Sequence, residues 1–428
     1  MADHVAGSAE PPADELTRAL GKAAVLEIAE HYLCPDRVRT MTTAGIDIVM
    51  GRREGYRVWD LDGTARIDLH LNGGVFNLGH RNPEIIARLL EATESYDIGN
   101  HHFPSGPRAL LAKKLVDATP GMRYAVFGAG GGEVVDLAIK SARRTTGRRT
   151  IISLTDAYHG HTGLALAAGD EKAAKAFLSD DPETVIRVPF DDTEALASAL
   201  AAHDVAAVIV ETIPATAGFP VPSPDYLPEV RRLCDVHGAA YIADEVQTGL
   251  GRTGSLWGTQ HFGVVPDILV TGKGLSGGIY PIAATLLSES MGSWLQEDGW
   301  GHISTFGGAE LGCCVADKVL DITMDPATVS RTAQVAQRWS TGLADLAERY
   351  PTWIAEVRQT GVVIGLRMHV DMGGMLMTRL LFDEGVWAMF AGFDRSVLQV
   401  KPGLLMDDDT IEEALAAFDR ACAKASSW

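Results

Sequence analysis

Short apolar runs separated by amphipathic stretches dominate the middle of the chain. RYAVF, RTIISL, TVIRV, VAAVIVE, AAYIADE and PDILVTGK follow one another between Pro107 and about Asp321. Runs this short, alternating with helical pattern, predict the buried strands of a mostly parallel sheet covered on both faces by helices. From Glu133 to Arg143, Val134, Leu137, Ala138 and Ser141 fall on one side of a helix, with a period of about 3.6 residues, and that side can lie on the sheet.

The flanks read differently. Up to Pro12 the chain is expected to be disordered, and from Asp14 to Tyr32 the Leu/Ala spacing predicts a surface helix that docks as an arm. GYRVWDLDGTARIDLHLNG alternates apolar and polar residues around Asp62-Gly63, which predicts a hairpin in a small N-terminal sheet. After Asp325, TVSRTAQVAQRWSTGLADLAERY predicts a long helix, followed by EVRQTGVVIGLRMHV, DEGVWAMF and a terminal helix from near Asp409. At 428 residues the chain exceeds what one core usually serves. The expected organisation is an N-terminal arm and small-domain segment (1–106), a large α/β domain (107–325) and a smaller α+β domain (326–428).

Charge narrows the function. With 37 Lys+Arg against 56 Asp+Glu the net charge is −19, which disfavours nucleic acid and anionic membranes as partners. No segment approaches the roughly 18 apolar residues of a membrane span, and the acidic start with Pro11 and Pro12 lacks the pattern of a signal peptide. The five cysteines are an odd number without CxxC spacing, so a reducing, cytoplasmic setting is expected.

Three predicted strands end in ionisable residues: Glu211, Asp244-Glu245 and Lys273. Ligands of open α/β sheets bind at such strand ends, although strand-end carboxylates also serve as helix caps. Lys273 lies among Gly272, Gly274, Gly277 and Gly278. It reads either as an exposed loop lysine or as an amine that a poorly hydrated crevice keeps neutral for condensation with a carbonyl. In FGAGGGEVVDLAIK, Gly131 and Gly132 open a helix whose first N–H groups suit a phosphate, or they form a packed turn without ligand. In DAYHGHTG, Tyr158 offers a ring for stacking, with His159 and His161 beside it. Asp156 with these histidines imitates a metal site, but the spacing is not that of a metal motif and no metal is expected. An amine, a carboxylate for a ring nitrogen, an anion nest and an aromatic platform together are what pyridoxal 5'-phosphate needs.

The stretch YIADEVQTGLGRTGSLWGTQHFGVVPDILVTGKGLSGGIYPIAA, residues 241–284, resembles the cofactor-attachment signature of class III aminotransferases, a family of fold-type I pyridoxal-phosphate enzymes. The resemblance extends back to GYRVWDLDGTARIDLHLNGGVFNLGH and forward to HISTFGG. It implies a large domain with a mostly parallel central sheet plus a smaller α+β domain, and a homodimer with composite active sites. Lys273 would form the internal aldimine and shuttle the proton, while Asp244 would pair with the pyridine nitrogen. Val246 and Tyr158 would cover the two ring faces, with His159 nearby, Gln247 would approach the ring hydroxyl, Gly131 and Gly132 would bind phosphate, and Thr305 would reach the neighbouring subunit's phosphate.

Two departures stand out. Gly130-Gly131-Gly132-Glu133-Val134 lacks the hydroxyls the family usually carries there. Where an arginine usually holds a substrate carboxylate, VLQVKPGLL has Gln399, with Lys401 as a nearby source of charge. Phe76 and His102 are further candidates to line the substrate entrance, although core packing is expected for Phe76 and Phe103. Arg367, Arg379 and Arg395 are possible substitutes for that charge, although a structural or surface role is expected for each. The expected reaction is amino-group transfer between an amine or amino acid and a carbonyl acceptor. The alternatives are another reaction of the same carbanion (racemisation or epimerisation, decarboxylation, an aminomutase or carbon–carbon bond formation) and a non-catalytic scaffold.

Overall fold

The computed structural model describes residues 15–181 and 183–426, so the stretch up to Pro12 lies outside the described residues. The arm is a helix, Glu15–Tyr32, interrupted at Gly21 (φ 75°). Lys22 Nζ ties it to Asp60 Oδ2 at 2.8 Å. Asp60 ends β2 (Arg57–Asp60), which lies between β1 (Met50–Glu54) and β3 (Ala65–Asp68) in an antiparallel sheet. The β2–β3 turn carries Gly63 at φ 88°, a left-handed conformation that suits a residue without Cβ.

The central sheet is built from β4 (Tyr124–Gly128), β5 (Thr150–Leu154), β6 (Val185–Val188), β7 (Val205–Glu211), β8 (Ala240–Asp244), β9 (Ile268–Thr271) and β10 (Ala283–Leu287). Its order is β4-β10-β9-β8-β7-β5-β6. All six predicted strands are present. Every pairing is parallel except those of β10, which runs antiparallel to β4 and β9. β10 escaped prediction because its AATLL run follows Lys273 with only the short 3₁₀ turn Lys273–Ser276 between them and no crossover helix. β7 and β8 are buried at every position, which explains their unbroken apolar sequences. The helix Gly131–Thr146 packs on this sheet, burying Val134, Leu137, Ala138 and Ser141 as its spacing predicts, together with Val135, Ile139 and Ala142.

The C-terminal sheet contains β11 (Ile354–Thr360), β12 (Val363–Met368), β14 (Met389–Phe390) and β15 (Val397–Val400) in the order β11-β12-β15-β14. The short strand β13 (Val386–Trp387) leaves it to pair in parallel with β3. Residues from both ends of the chain therefore share one core. Ile67, Leu69 and Leu71 join Trp339 and Leu343 of the helix Pro326–Arg349, Leu381, and Phe418 of the helix Asp408–Ala425.

Trp339 is fully buried and meets Phe418 edge-on, with ring centroids 5.8 Å apart. Trp339→Ala is expected to cost about 3–5 kcal/mol, read as a lower urea midpoint of unfolding.

Candidate active site

The strand register assembles the site. Glu211 and Asp244 pair side by side at the ends of β7 and β8, and Asp244 also pairs with Val270 on β9. Lys273 follows β9 and adopts φ 43°, which for a residue with a Cβ is a strained conformation held by its surroundings. Its carbonyl is fixed by the Ser276 hydroxyl at 2.7 Å.

Asp244 is buried, with one protein partner on each carboxylate oxygen. Its Oδ2 lies 2.7 Å from His159 Nδ1, and its Oδ1 accepts the Val246 N–H at 3.0 Å. Behind it, His159 Nε2 faces the Ser153 hydroxyl at 3.4 Å, so the imidazole is held from both sides. Burial works against a charged His159, but the hydrogen bond and charge of Asp244 and the charge of Glu211 outweigh it and raise its pKa. Glu211 accepts the Tyr158 N–H at 2.8 Å and the Ala215 N–H at 3.3 Å. Burial pushes its carboxyl up to about 7, with Asp244 adding to the shift and His159 opposing it.

Lys273 Nζ is half-buried and donates to Gln247 Oε1 at 2.9 Å. Burial lowers its pKa and Arg252 lowers it further, against the pull of Asp244 and Glu211. This is the direction that supplies a free amine. Two glycines approach it closely. A Cβ on Gly73 would stand 3.6 Å from Lys273 Cε, and one on Gly74 would stand 3.0 Å from Gln247 Nε2. That Nε2 is buried and donates to no protein acceptor, so one donor beside the Lys273 amine is left for another molecule.

The glycine turn lies on the same side. A Cβ on Gly131 would stand 3.5 Å from Val246 Cγ1, and one on Gly272 would stand 3.7 Å from the same atom, so Val246 bridges the turn and the lysine strand. Gly132 has no space for a side chain, because a Cβ would fall 2.6 Å from Thr162 Oγ1. A hydroxyl thus stands beside the turn that lacks its own. The helix begins after Gly130 without a side-chain cap, leaving its first N–H groups for an anion. Tyr158, 40% exposed, projects at the mouth next to His161, with ring centroids 5.3 Å apart. The amine, the buried carboxylate, the orphaned amide donor and the uncapped glycine turn fit pyridoxal phosphate.

Gln399 and Lys401 are buried and bonded to each other. Phe76 stacks on His80 at 3.9 Å, and its ring fills the space a Cβ on Gly278 would need. His102 is exposed and meets Trp300 at 5.2 Å, and Thr305 lies exposed on the same stretch as Ile303 and Phe306. The neighbouring recess, lined by His101, Arg108, Trp300 and Ile303, shares no residue with the Lys273 cluster. Phe103 is 67% exposed, so the expected core packing is wrong for it: it lies in a turn outside any packed element. Arg367 is held by Glu356 at 2.9 Å and Arg379 by Asp383 at 2.9 Å, while Arg395 is exposed.

Sequence reading missed His70, Asn77 and Arg252. Arg252 is fully buried, donates to Asn77 Oδ1 at 2.7 Å and to the Val362 carbonyl at 3.0 Å, and is lowered to about 10 by burial. These residues stood in plain view within DLHLNG, GGVFNLGH and GLGRTG, but nothing local marks an arginine that will be buried. Glu245 is also structural: it accepts from the Thr212 and Thr248 hydroxyls and from the Gly258 and Thr259 N–H groups at 2.6–2.9 Å.

This arrangement of strands and strand-end groups defines a fold-type I pyridoxal-phosphate enzyme. The family model for class III aminotransferases matches residues 40–422, and the chain belongs to that family. It is 48% identical over 400 residues to an uncharacterized aminotransferase of Archaeoglobus fulgidus, covering 92% of this chain and 94% of that protein. It is 35% identical over 380 residues to the acetylornithine aminotransferase of Pseudomonas putida, covering 87% and 92%. The ornithine aminotransferase structure from Toxoplasma gondii superposes with a TM-score of 0.86 at 26% identity, covering 95% of this chain and 96% of that one. The protein is a pyridoxal-phosphate-dependent aminotransferase.

Glu211 provides a test of the electrostatics. Its folded pKa of about 7 lies above the ordinary 4.5, so the unfolded chain releases this proton first. Its contribution therefore lowers stability as pH rises from about 4.5 to about 7 and levels off above that. Urea midpoints of the cofactor-free protein across this range should lose that component of the slope in Glu211→Gln.

Proposed function

We propose that Lys273 Nζ carries the cofactor and moves the proton, and that transamination runs on the groups gathered around it. The observation that carries this is a half-buried amine, bonded to Gln247, in the field of Asp244 and Glu211 at the ends of adjacent strands. When bound, pyridoxal phosphate supplies a ring that withdraws electrons from the substrate carbon. Asp244, oriented by His159, would hold the proton of the ring nitrogen. Val246 and Tyr158 would hold the ring, the unpartnered Gln247 Nε2 would donate to its hydroxyl, and Glu211 fixes the backbone that presents Tyr158. Gly131 and Gly132 would hold the phosphate through their N–H groups at the uncapped helix start, while the nearby Thr162 hydroxyl donates to Asp136 Oδ2 at 3.1 Å. Once freed, Lys273 Nζ removes the proton from the amino-bearing carbon.

The second half of the proposal concerns assembly and setting. Thr305, with the exposed Ile303 and Phe306, faces a second copy of the chain in a homodimer with composite sites. Burial there would remove apolar surface from water. Four of the five cysteines are buried and all are free, which supports a reducing cytoplasmic setting. Among the described residues no helix is long and apolar enough to cross a membrane. The named relatives, acetylornithine aminotransferase and succinylornithine transaminase, point to small amino acids as substrates.

An amino donor added without acceptor should convert the near-visible band of the bound cofactor to that of its amine form, and a keto acid should reverse the change. Lys273→Ala should lose turnover by at least about 10²–10⁴-fold. A band that no amino donor shifts, or full turnover in Lys273→Ala, would overturn the assignment.

A further inference from the structure

We propose that the recess between the helix Gly131–Thr146 and Trp294 is a second anion site, which takes a small phosphate monoester. The inference goes beyond transamination and does not rest on the reading of Lys273.

The recess has a volume of about 270 Å³. Leu137, Lys140, Ser141 and Arg144 form one wall, because positions i, i+3, i+4 and i+7 share a helix face. Arg143 flanks them, and Leu164 and Trp294 close the other side. Lys140 lies nine residues after Gly131 on the same helix, about 14 Å along its axis at 1.5 Å per residue. The recess is therefore separate from the glycine turn at the start of that helix, and none of the groups around Lys273 lines it.

These side chains offer donors that the protein leaves unanswered. Ser141 is 1% exposed, and its hydroxyl has no hydrogen-bond partner. Arg143 Nε is buried and donates to no acceptor. Burial disfavours the Arg143 charge and Arg149 adds to that, against a pull from Asp181. Lys140 Nζ donates to His302 Nδ1 at 3.3 Å. Burial and the Lys140 charge hold that imidazole below its ordinary range, with Glu133 opposing them, so His302 accepts from the lysine without balancing it. Arg144 differs, since Asp298 Oδ2 pairs with it at 2.8 Å and its guanidinium lies 5.1 Å from the Trp294 ring centroid. Among the described residues, two of the three cations thus lack a carboxylate partner. The stretch KSARRTTGRR, residues 140–149, places five cations and no acid in a chain of net charge −19. Such a concentration draws anions to this face.

A phosphate monoester suits the arrangement. Its oxygens accept, as a hydroxyl, a guanidinium N–H and an ammonium all require. It carries close to two negative charges at neutral pH, which matches the two uncompensated cations, whereas a single carboxylate would leave one of them unpaired. Arg143 can meet it as a planar fork and Lys140 as a point charge. Leu137 and Leu164 supply an apolar side for the carbon of the ester. The volume lies below the roughly 300–1,000 Å³ of pockets for drug-sized ligands, so the molecule that fits is a small one.

The test uses the wild-type holoenzyme, in which the glycine turn is already filled, freed of excess pyridoxal phosphate, which is itself a phosphate monoester. Methyl phosphate and dimethyl phosphate are titrated into it and read by calorimetry. Wild type should bind the monoester at least about tenfold tighter than the diester, which carries one charge. Lys140→Met and Arg143→Met should each weaken methyl phosphate at least about tenfold. Arg149→Met, which removes an exposed charge outside the recess, should weaken it by less than about threefold. Lys140 is exposed, so its replacement leaves the core intact, and a retained cofactor band checks the fold of every variant. Turnover of Lys140→Met should match wild type. No binding of methyl phosphate by wild type up to about 10 mM overturns the proposal without any variant. So does unchanged affinity in Lys140→Met and Arg143→Met, or an equal loss in all three variants, which would mark a diffuse field and no site. Failure of the Lys273 assignment would show instead in the amino-donor half-reaction, which these titrations do not use.

Discussion

The site depends on two carboxylates that the sheet forces together. Parallel pairing in register sets Glu211 beside Asp244, both buried at neighbouring strand ends, where ionising one makes ionising the other harder. The surrounding positive groups answer this constraint. His159 bonds Asp244 directly, Lys273 stands in the field of both acids, and Glu211 is left with a proton affinity shifted toward neutrality. A cationic ring nitrogen placed against Asp244 would complete the balance. The register of one strand pair thereby sets the protonation pattern of the whole centre.

Much of the fold was legible because its strands are buried on both faces and therefore read as unbroken apolar runs. VAAVIVE and AAYIADE could hardly be anything else, and the Val134–Ser141 face already pointed at the sheet. β10 was not legible, since it arrives after a tight 3₁₀ turn and runs against its neighbours, so no crossover helix announced it. At the site, Lys273, Asp244 and Gln247 were legible through a long contiguous signature. The buried cluster of His70, Arg252 and Lys401 was not. Its members come from three distant stretches, and burial of a basic side chain is a tertiary outcome that no local pattern encodes.

That cluster also clarifies the Gln399 departure. Arginine carries its charge on a wide planar fork, whereas here glutamine holds the carbonyl of Ala215 with one arm and steadies a lysine with the other. At the glycine turn, by contrast, the nearby Thr162 hydroxyl is turned to Asp136 Oδ2 at 3.1 Å, so the backbone N–H groups are the donors left there.

The parallel pairing of β13 with β3 has a consequence for biosynthesis. Val386 sits beside Ile67, so the edge of β3 gains its neighbour only after some three hundred further residues have been added. At roughly 5–20 residues per second, that edge stays bare on the ribosome for some tens of seconds. Through this interval the nascent N-terminal hairpin must avoid pairing with strangers. The charged residues along β1, Arg52, Arg53 and Glu54, guard the opposite rim of the same sheet against such adhesion.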